Sequence, residues 1–284
     1  MGIKLINLIS LLESDVQYTI TKFPDGEIQF SFDYELDRKD RYHVKCRITN
    51  AEELFTLLQV GDILDRQAII WDLEINYLMG MRMDRVMSFD RPFTLKIVGN
   101  LISNMNYRTC FITEPHSERT SNEIRKSCDI NGYVIPFINK YIHDDITIVF
   151  PDLGALQRYY DNIYFDKCGI DNVVYFEKYR NKLTGKIEAF SLKNEDKINN
   201  NHFLFYDDLC DAGGTFLGEL SILKRRYPDG KFDIRVAHLV NEEGLDNLCK
   251  NFDTVYVTNS YKNWEEVAKR KGYNNLIIFD INNE

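Results

Sequence analysis

An α/β fold in two halves, each with a mainly parallel sheet flanked by helices, is what this sequence predicts. Three observations predict it. Short apolar runs of strand length recur along the chain with stretches of helical spacing between them, the alternation of a parallel sheet. Several runs end in acidic or glycine-bearing turns: Glu114-Pro115-His116, Pro151-Asp152-Leu153-Gly154 and Asp207 to Thr215. Around residues 130–145 the pattern turns irregular, which places a boundary between halves 1–135 and 136–284.

The elements follow in order. MGIKLINLISLLESD reads as a first strand, since it lacks the charged leader and small-residue cleavage site of a signal peptide. RQAIIWDLEINYL (66–78) is a strand, RPFTLKIVGNLISNM (91–105) a helix with Pro92 in its first turn, and YRTCFIT (107–113) a strand. In the second half ITIVFPD (146–152) is a strand and GALQRYYDNI (154–163) a helix. NVVYFEKYR (172–180), KIEAFSL (186–192) and HFLFYDD (202–208) are strands, with KNEDKINNN (193–201) a solvated loop. GTFLGELSILKRR (214–226) is a helix, DIRVAHLV (233–240) and DTVYVTNS (253–260) are strands, NWEEVAKRKG (263–272) is a helix, and NLIIFDI (275–281) is the last strand.

Composition narrows the class. The 284 residues are 44% hydrophobic and 28% charged, a soluble balance with enough apolar surface for a real core. A net charge of −9 argues against a nucleic-acid partner, whose surface complement is basic. No apolar run approaches the ~20 residues of a membrane span. The six cysteines (46, 110, 128, 168, 210, 249) include no CxxC pair, which points to buried reduced thiols in a cytoplasmic protein and away from zinc.

In open parallel sheets ligands sit beyond the carboxyl ends of strands. The stretch YDDLCDAGGT (206–215) lies at such an end. Bare glycines before a helix leave backbone N–H groups free to curl around an anion, and Thr215 adds a hydroxyl. The aspartates suit sugar hydroxyls or Mg²⁺. Acids beside an anion nest therefore fit a ribose phosphate. A plain glycine turn with an aspartate cap accounts for the same residues equally well, and the Gly-Lys-Ser/Thr run of a Walker loop is missing.

YDDLCDAGGT resembles the phosphoribosyl-pyrophosphate loop of type I phosphoribosyltransferases, and other segments narrow the resemblance to the ribose-phosphate pyrophosphokinases. FPDGEIQF (23–30) resembles that family's early ATP-site stretch, and YLMGMRMDR (77–85) its Arg-Gln-Asp-Arg segment. ITEPHSE (112–118) is similar to its strand ending in histidine, FPDLGALQR (150–158) to its Pro-Asp-Gly segment and FEKYR (176–180) to its Lys-x-Arg. The matches run in order from about residue 22 to 215.

The resemblance implies two type I phosphoribosyltransferase-like domains. It also implies transfer of the β,γ-diphosphoryl group of ATP to the anomeric hydroxyl of a ribose 5-phosphoryl acceptor, with Mg²⁺ and release of AMP. Phe23, Asp25, Glu27, Arg82, Asp84 and Arg85 would bind ATP. His116 and Asp152 would contact Mg²⁺–ATP, directly or through water. Lys178 and Arg180, with His116, would be catalytic, stabilising charge on the transferred phosphates. Asp207, Asp208, Asp211, Ala212, Gly213, Gly214 and Thr215 would bind the ribose phosphate. Partners would be small molecules only, with a homo-oligomeric assembly.

Each of these residues also has an ordinary use. His116 fits a strand-end histidine bonded to backbone, Phe23–Glu27 a Pro-Asp-Gly turn, and Lys178 and Arg180 a solvated strand face. Arg82 and Arg85 stand at helical spacing among Met79, Met81, Met83 and Met87, the pattern of an amphipathic surface. Their joint order carries the resemblance.

Two departures bear on substrate. Ala212 stands where the family has threonine, removing a donor to the 5-phosphate. That loss suits an acceptor whose 5-phosphate is already esterified. ADP-ribose is one, and a phage-encoded offshoot of the family is associated with it, making the 1-pyrophosphate for NAD synthesis. Ribose 5-phosphate remains open beside it. Met83 replaces the family's glutamine, and RYHVKCRITN (41–50) departs from the pattern, which leaves allosteric control and assembly size open. A phosphoribosyltransferase, a non-catalytic regulatory homologue and a generic nucleotide-binding module are the rival readings.

Overall fold

Residues 2–130, 137, 140–142, 145–161, 171–180 and 187–281 are described by the computed structural model. The chain divides into two compact units, Met1–Ile130 and Asn131–Glu284.

The first unit is built on β1 (Ile3–Asn7), β4 (Arg41–Ile48), β5 (Ile70–Leu78), β6 (Cys110–Thr113) and β7 (Ser127–Ile130). They form one sheet in the order β1-β4-β5-β6-β7, every pair parallel. β2 (Tyr18–Lys22) and β3 (Ile28–Phe32) make a separate antiparallel hairpin. Helix α1 (Ala51–Arg66) buries Leu57, Val60 and Leu64 completely. Each such side chain contributes roughly 1.5–3 kcal/mol. Asn50 caps the helix by accepting the Glu53 N–H at 3.0 Å, while the Glu53 carboxylate reaches back to the Thr49 N–H at 2.6 Å. This reciprocal bonding at the first turn marks a helix start in the sequence itself. α2 (Thr94–Ser103) and α3 (Arg119–Glu123) complete the unit.

The second unit has a seven-stranded sheet among the described residues, ordered β10-β9-β8-β11-β12-β13-β14. Its strands are β8 (Thr147–Phe150), β9 (Val173–Arg180), β10 (Ile187–Lys193), β11 (His202–Cys210), β12 (Lys231–Leu239), β13 (Thr254–Thr258) and β14 (Leu276–Phe279). All pairs are parallel except β9–β10 at one edge. α4 (Leu153–Leu156), α5 (Gly214–Arg226), α6 (Glu242–Asn251) and α7 (Glu265–Lys271) connect them. Phe203, Phe205, Ile234 and Val255 pack with Phe216, Leu220, Leu245 and Trp264 of the helical layer. Leu204, Tyr206 and Phe150 belong to a second cluster with Phe137 and Tyr159. Alternate residues of β11 thus supply two cores, which is why it reads as a continuous apolar run.

The predicted α/β class with parallel sheets is what the structure shows, and several boundaries differ. The helix predicted over 91–105 spans only Thr94–Ser103, so Pro92 precedes it; Phe93 is its cap. The helix predicted over 154–163 is four residues, Leu153–Leu156, followed by a π-helical turn, Gln157–Asp161. Residues 79–93 form a loop despite the helical spacing of Arg82 and Arg85, because Gly80 turns left-handed at φ 86° directly after β5. Four described cysteines are buried and free, while Cys128 is exposed. Among the described residues no helix is long and apolar enough to cross a membrane.

Candidate functional site

In the first unit β5 and β6 are neighbours and parallel, so the loops that follow them leave the same edge of the sheet. Those loops hold a cavity of about 410 Å³ lined by Arg82, Met83, Asp84, Arg85, Met87, Arg91, Pro92 and His116. Asp84 is its buried centre, 3% exposed. Arg85 donates to both Asp84 oxygens, Nε at 2.7 Å and Nη2 at 3.0 Å, and the Ser117 hydroxyl donates at 2.8 Å. Burial works to raise the Asp84 carboxyl, but the bonds from Arg85 and Ser117 and the charges of Arg85 and His116 outweigh it and hold the group below its usual range. Glu114, buried, stands at φ 38°, a left-handed conformation unusual for a non-glycine residue. Such strain gathers at functional loops, and here it turns the chain from β6 toward His116.

Sequence reading grouped Phe23, Asp25 and Glu27 with these residues. The structure puts them on the β2–β3 hairpin tip, where Asp25 accepts the Glu27 N–H at 3.1 Å and Gly26 turns at φ 94°. All are exposed, and none lines the cavity.

In the second unit β8 lies between β9 and β11: the chain runs outward from β8 through β9 to β10 on one side, then crosses back to β11 and runs outward to β14 on the other. This reversal is the switch point at which ligands bind in open α/β sheets. Asp152 follows β8 and caps α4, accepting the Ala155 N–H at 2.9 Å through Oδ1. Its Oδ2 takes the Lys178 ammonium at 3.0 Å from β9. Desolvation opposes ionisation of Asp152, and the Lys178 charge with the Ala155 N–H overcomes it, so the carboxyl is held low.

Asp207 and Asp208 sit near the end of β11, and Arg158 joins them. Its Nη1 bonds Asp208 Oδ1 and stands 3.5 Å from Asp207 Oδ1. Asp208 is fully buried, while the Asp207 side chain keeps 17% exposure. Asp207 Oδ1 also accepts the Asp208 N–H at 2.9 Å. Burial and the adjacent Asp208 charge push the Asp207 carboxyl up, with Arg158 pulling the other way.

The turn after β11 is held from α6. Asn241 donates to Asp211 Oδ1 and Asn247 donates to the Ala212 carbonyl at 2.9 Å. A Cβ on Gly244 would stand 1.9 Å from the Asp211 carbonyl oxygen, so only glycine lets α6 approach this closely. Gly213 caps α5 in the left-handed region at φ 81°, with no side chain serving as cap. The first N–H groups of α5 therefore have no capping side chain. A Cβ on Gly214 would meet nothing within 4 Å, so the space before the helix is open. Thr215, the next residue of the helix, is half-buried.

The structure thus groups Arg82, Asp84, Arg85 and His116 in one unit, and Asp152, Lys178, Asp207, Asp208 and Asp211 to Thr215 in the other. Arg180 ends β9, and its side chain lies outside what the structure describes. Sequence reading missed Arg158, Asn241, Gly244 and Asn247. The Asn241 cap followed by Glu242 and Glu243 was a visible helix-start signal; Arg158 closes the FPDLGALQR segment without a role read for it, and Gly244 and Asn247 show no local pattern.

Magnesium fits this donor set in one way. Among the described residues no three His, Cys, Asp or Glu side chains group to hold a metal. Mg²⁺ prefers oxygen and commonly takes one or two carboxylates beside a nucleotide's phosphates. In the second unit Asp152 has the chemistry for that role; His116 belongs to the first.

No family model matches the chain. A ribose-phosphate pyrophosphokinase of Helicobacter hepaticus is 24% identical over 249 residues, 85% of this chain and 78% of that protein. One of a Marinomonas species is 26% identical over 272 residues, 93% and 84% of the two chains. The crystal structure of phosphoribosylpyrophosphate synthetase from Mycobacterium smegmatis matches with a TM-score of 0.79 at 17% identity, over 99% of this chain and 95% of that one. Over most of its length, then, the chain is similar to ribose-phosphate pyrophosphokinases, and it shares its α/β fold with a phosphoribosylpyrophosphate synthetase.

Proposed function

We propose that this chain transfers the β,γ-diphosphoryl group of ATP to the anomeric 1-hydroxyl of a ribose 5-phosphoryl acceptor, with Mg²⁺, releasing AMP. One observation carries the reading: at the β8–β11 switch point a partly exposed acid, Asp207, stands beside an open, uncapped helix start. The Asp207 side chain, 17% exposed at this strand end, accepts from a furanose hydroxyl. The turn from Ala212 to Thr215 receives the 5-phosphate through N–H groups. Asp208, buried on Arg158, fixes the strand end and orients its neighbour.

Arg82, Arg85, Arg91 and His116 give the first unit's cavity the charge to hold a triphosphate, while Met83, Met87 and Pro92 offer an apolar wall to a base. Bound Mg²⁺ supplies charge neutralisation at the phosphates, with Asp152 as its carboxylate. Lys178 and Arg180 stabilise charge on the transferred group. Diphosphoryl transfer asks little covalent chemistry of the protein, so positioning and cations do most of the work. The hairpin bearing Phe23, Asp25 and Glu27 is exposed and apart from the cavity lining, as expected if it serves a neighbouring copy in a homo-oligomer.

Ala212 favours ADP-ribose over ribose 5-phosphate. Its methyl offers no hydroxyl to a doubly charged phosphate monoester, and a diphosphate bridge carries one charge per phosphorus. Phosphorus NMR after incubation with Mg²⁺–ATP and each acceptor separately tests both levels. An anomeric diphosphate on ADP-ribose is expected; product on ribose 5-phosphate alone removes the ADP-ribose reading and keeps the reaction. No anomeric diphosphate on either removes the reaction.

A further inference from the structure

Glu219 lies on the second turn of α5, completely buried, and neither carboxylate oxygen has a hydrogen-bond partner among the described residues. A buried carboxylate without donors is costly, and one kept beside a functional groove calls for an explanation. Its surroundings supply one. Gly218 packs so closely on Phe190 that a Cβ there would stand 2.6 Å from the ring. Phe190 is paired across the β9–β10 ladder with Lys178. Residues paired in this way project from the same face of the sheet, so α5 brings Glu219 to the side on which Lys178 projects. Burial drives the Glu219 carboxyl well above its ordinary value; the Lys178 ammonium is the cation that opposes this, and the charges of Asp207 and Asp152 add to the rise.

We propose that Glu219 is a positioning residue: a second, buried seat for the Lys178 ammonium, taken up when Asp152 turns to the metal–nucleotide. In this structure the ammonium rests on Asp152 at 3.0 Å. Asp152 cannot hold that pair and serve as the carboxylate of a magnesium–nucleotide complex through the same oxygen. Lys178, with its side chain only 14% exposed, then needs a counter-charge inside the protein, and Glu219 is a buried acid on that face with no hydrogen bond among the described residues. Seated between Glu219 and the groove, the ammonium keeps its place along the acceptor. Without Glu219 it is left to follow Asp152 or the solvent.

This inference rests on the proposed role of Lys178, and the test separates the two. Glu219→Gln and Glu219→Leu are compared with Lys178→Ala and with the Glu219→Gln/Lys178→Ala pair. Urea midpoints, AMP release and acetic-anhydride labelling of Lys178 under Mg²⁺–ATP are measured. Relief of an unbonded buried acid leaves the midpoint unchanged or higher in both Glu219 variants. At the same time kcat falls tenfold or more, KM for ATP stays within twofold, and Lys178 labels faster. In the Lys178→Ala background Glu219→Gln causes no further loss. Unchanged turnover and labelling in Glu219→Gln, or an equal loss without Lys178, overturns the inference while a large Lys178→Ala defect preserves the parent reading. Full turnover by Lys178→Ala removes both.

Discussion

Arg158 is the residue that makes two adjacent aspartates tolerable at one strand end. Replacing it with methionine takes the Arg158 guanidinium away from the fully buried Asp208, a change that costs about 3–5 kcal/mol where a buried ion pair loses one partner. Urea unfolding of Arg158→Met should show a loss of that order, and a shift under ~1 kcal/mol would mean Asp208 is satisfied elsewhere. Asp84 gives a pH signature of its own. Its folded-state carboxyl is depressed: burial opposes this, and Arg85, Ser117 and His116 prevail. The stability it contributes is therefore present above the unfolded aspartate range, about pH 4, and is lost as pH falls through the folded value. Asp84→Asn should flatten the acid limb of the stability–pH curve below about pH 4; an unchanged limb would contradict the Arg85–Ser117 account. The contiguous acids and glycines of 207–215 were legible because one strand–turn–helix passage carries them. Glu219 sits in no local pattern, and Arg158, though it closes the FPDLGALQR segment, meets the aspartates only when folding brings the two stretches together.

At the scale of elements, the passage from β11 through the turn into α5 does the positioning, and its two glycines have different reasons. Gly213 is left-handed at φ 81°, so Gly213→Ala should cost about 1–2 kcal/mol from backbone strain alone. Gly214 begins the helix facing open space, so Gly214→Ala should leave thermal stability unchanged within about 0.5 kcal/mol. Its methyl would occupy the approach to the turn, and the acceptor KM should rise at least tenfold. Unaltered acceptor kinetics in Gly214→Ala would place the phosphate elsewhere. Gly244→Ala should impair the same step from behind, because its Cβ displaces the Asp211 carbonyl. The strands of the second sheet, with β1, β5 and β6 of the first, were legible from apolar runs; β2, β3, β4 and β7 were not, and α1 was not either, although Asn50 and Glu53 announce its start. In the 79–93 loop the helical spacing of arginines and methionines, the ordinary reading of Arg82 and Arg85, meant little once Gly80 turned the chain.

For the molecule as a whole, the two-sheet plan followed from the alternation of strands and helices. The halves' chemistry did not follow from composition: in the proposed function a chain of net charge −9 binds anions through a few placed cations and N–H groups. The fold uses no described metal cluster, so chelation should abolish turnover while leaving far-ultraviolet dichroism and the unfolding midpoint unchanged. Turnover that persists in excess chelator would contradict the proposed part for magnesium. The most direct measurement is the nucleotide left when ATP is consumed in the presence of a ribose 5-phosphoryl acceptor. Cleavage between the α and β phosphorus predicts AMP, formed one for one with the acceptor consumed. ADP as the product, or no consumption of ATP with either acceptor, would contradict it.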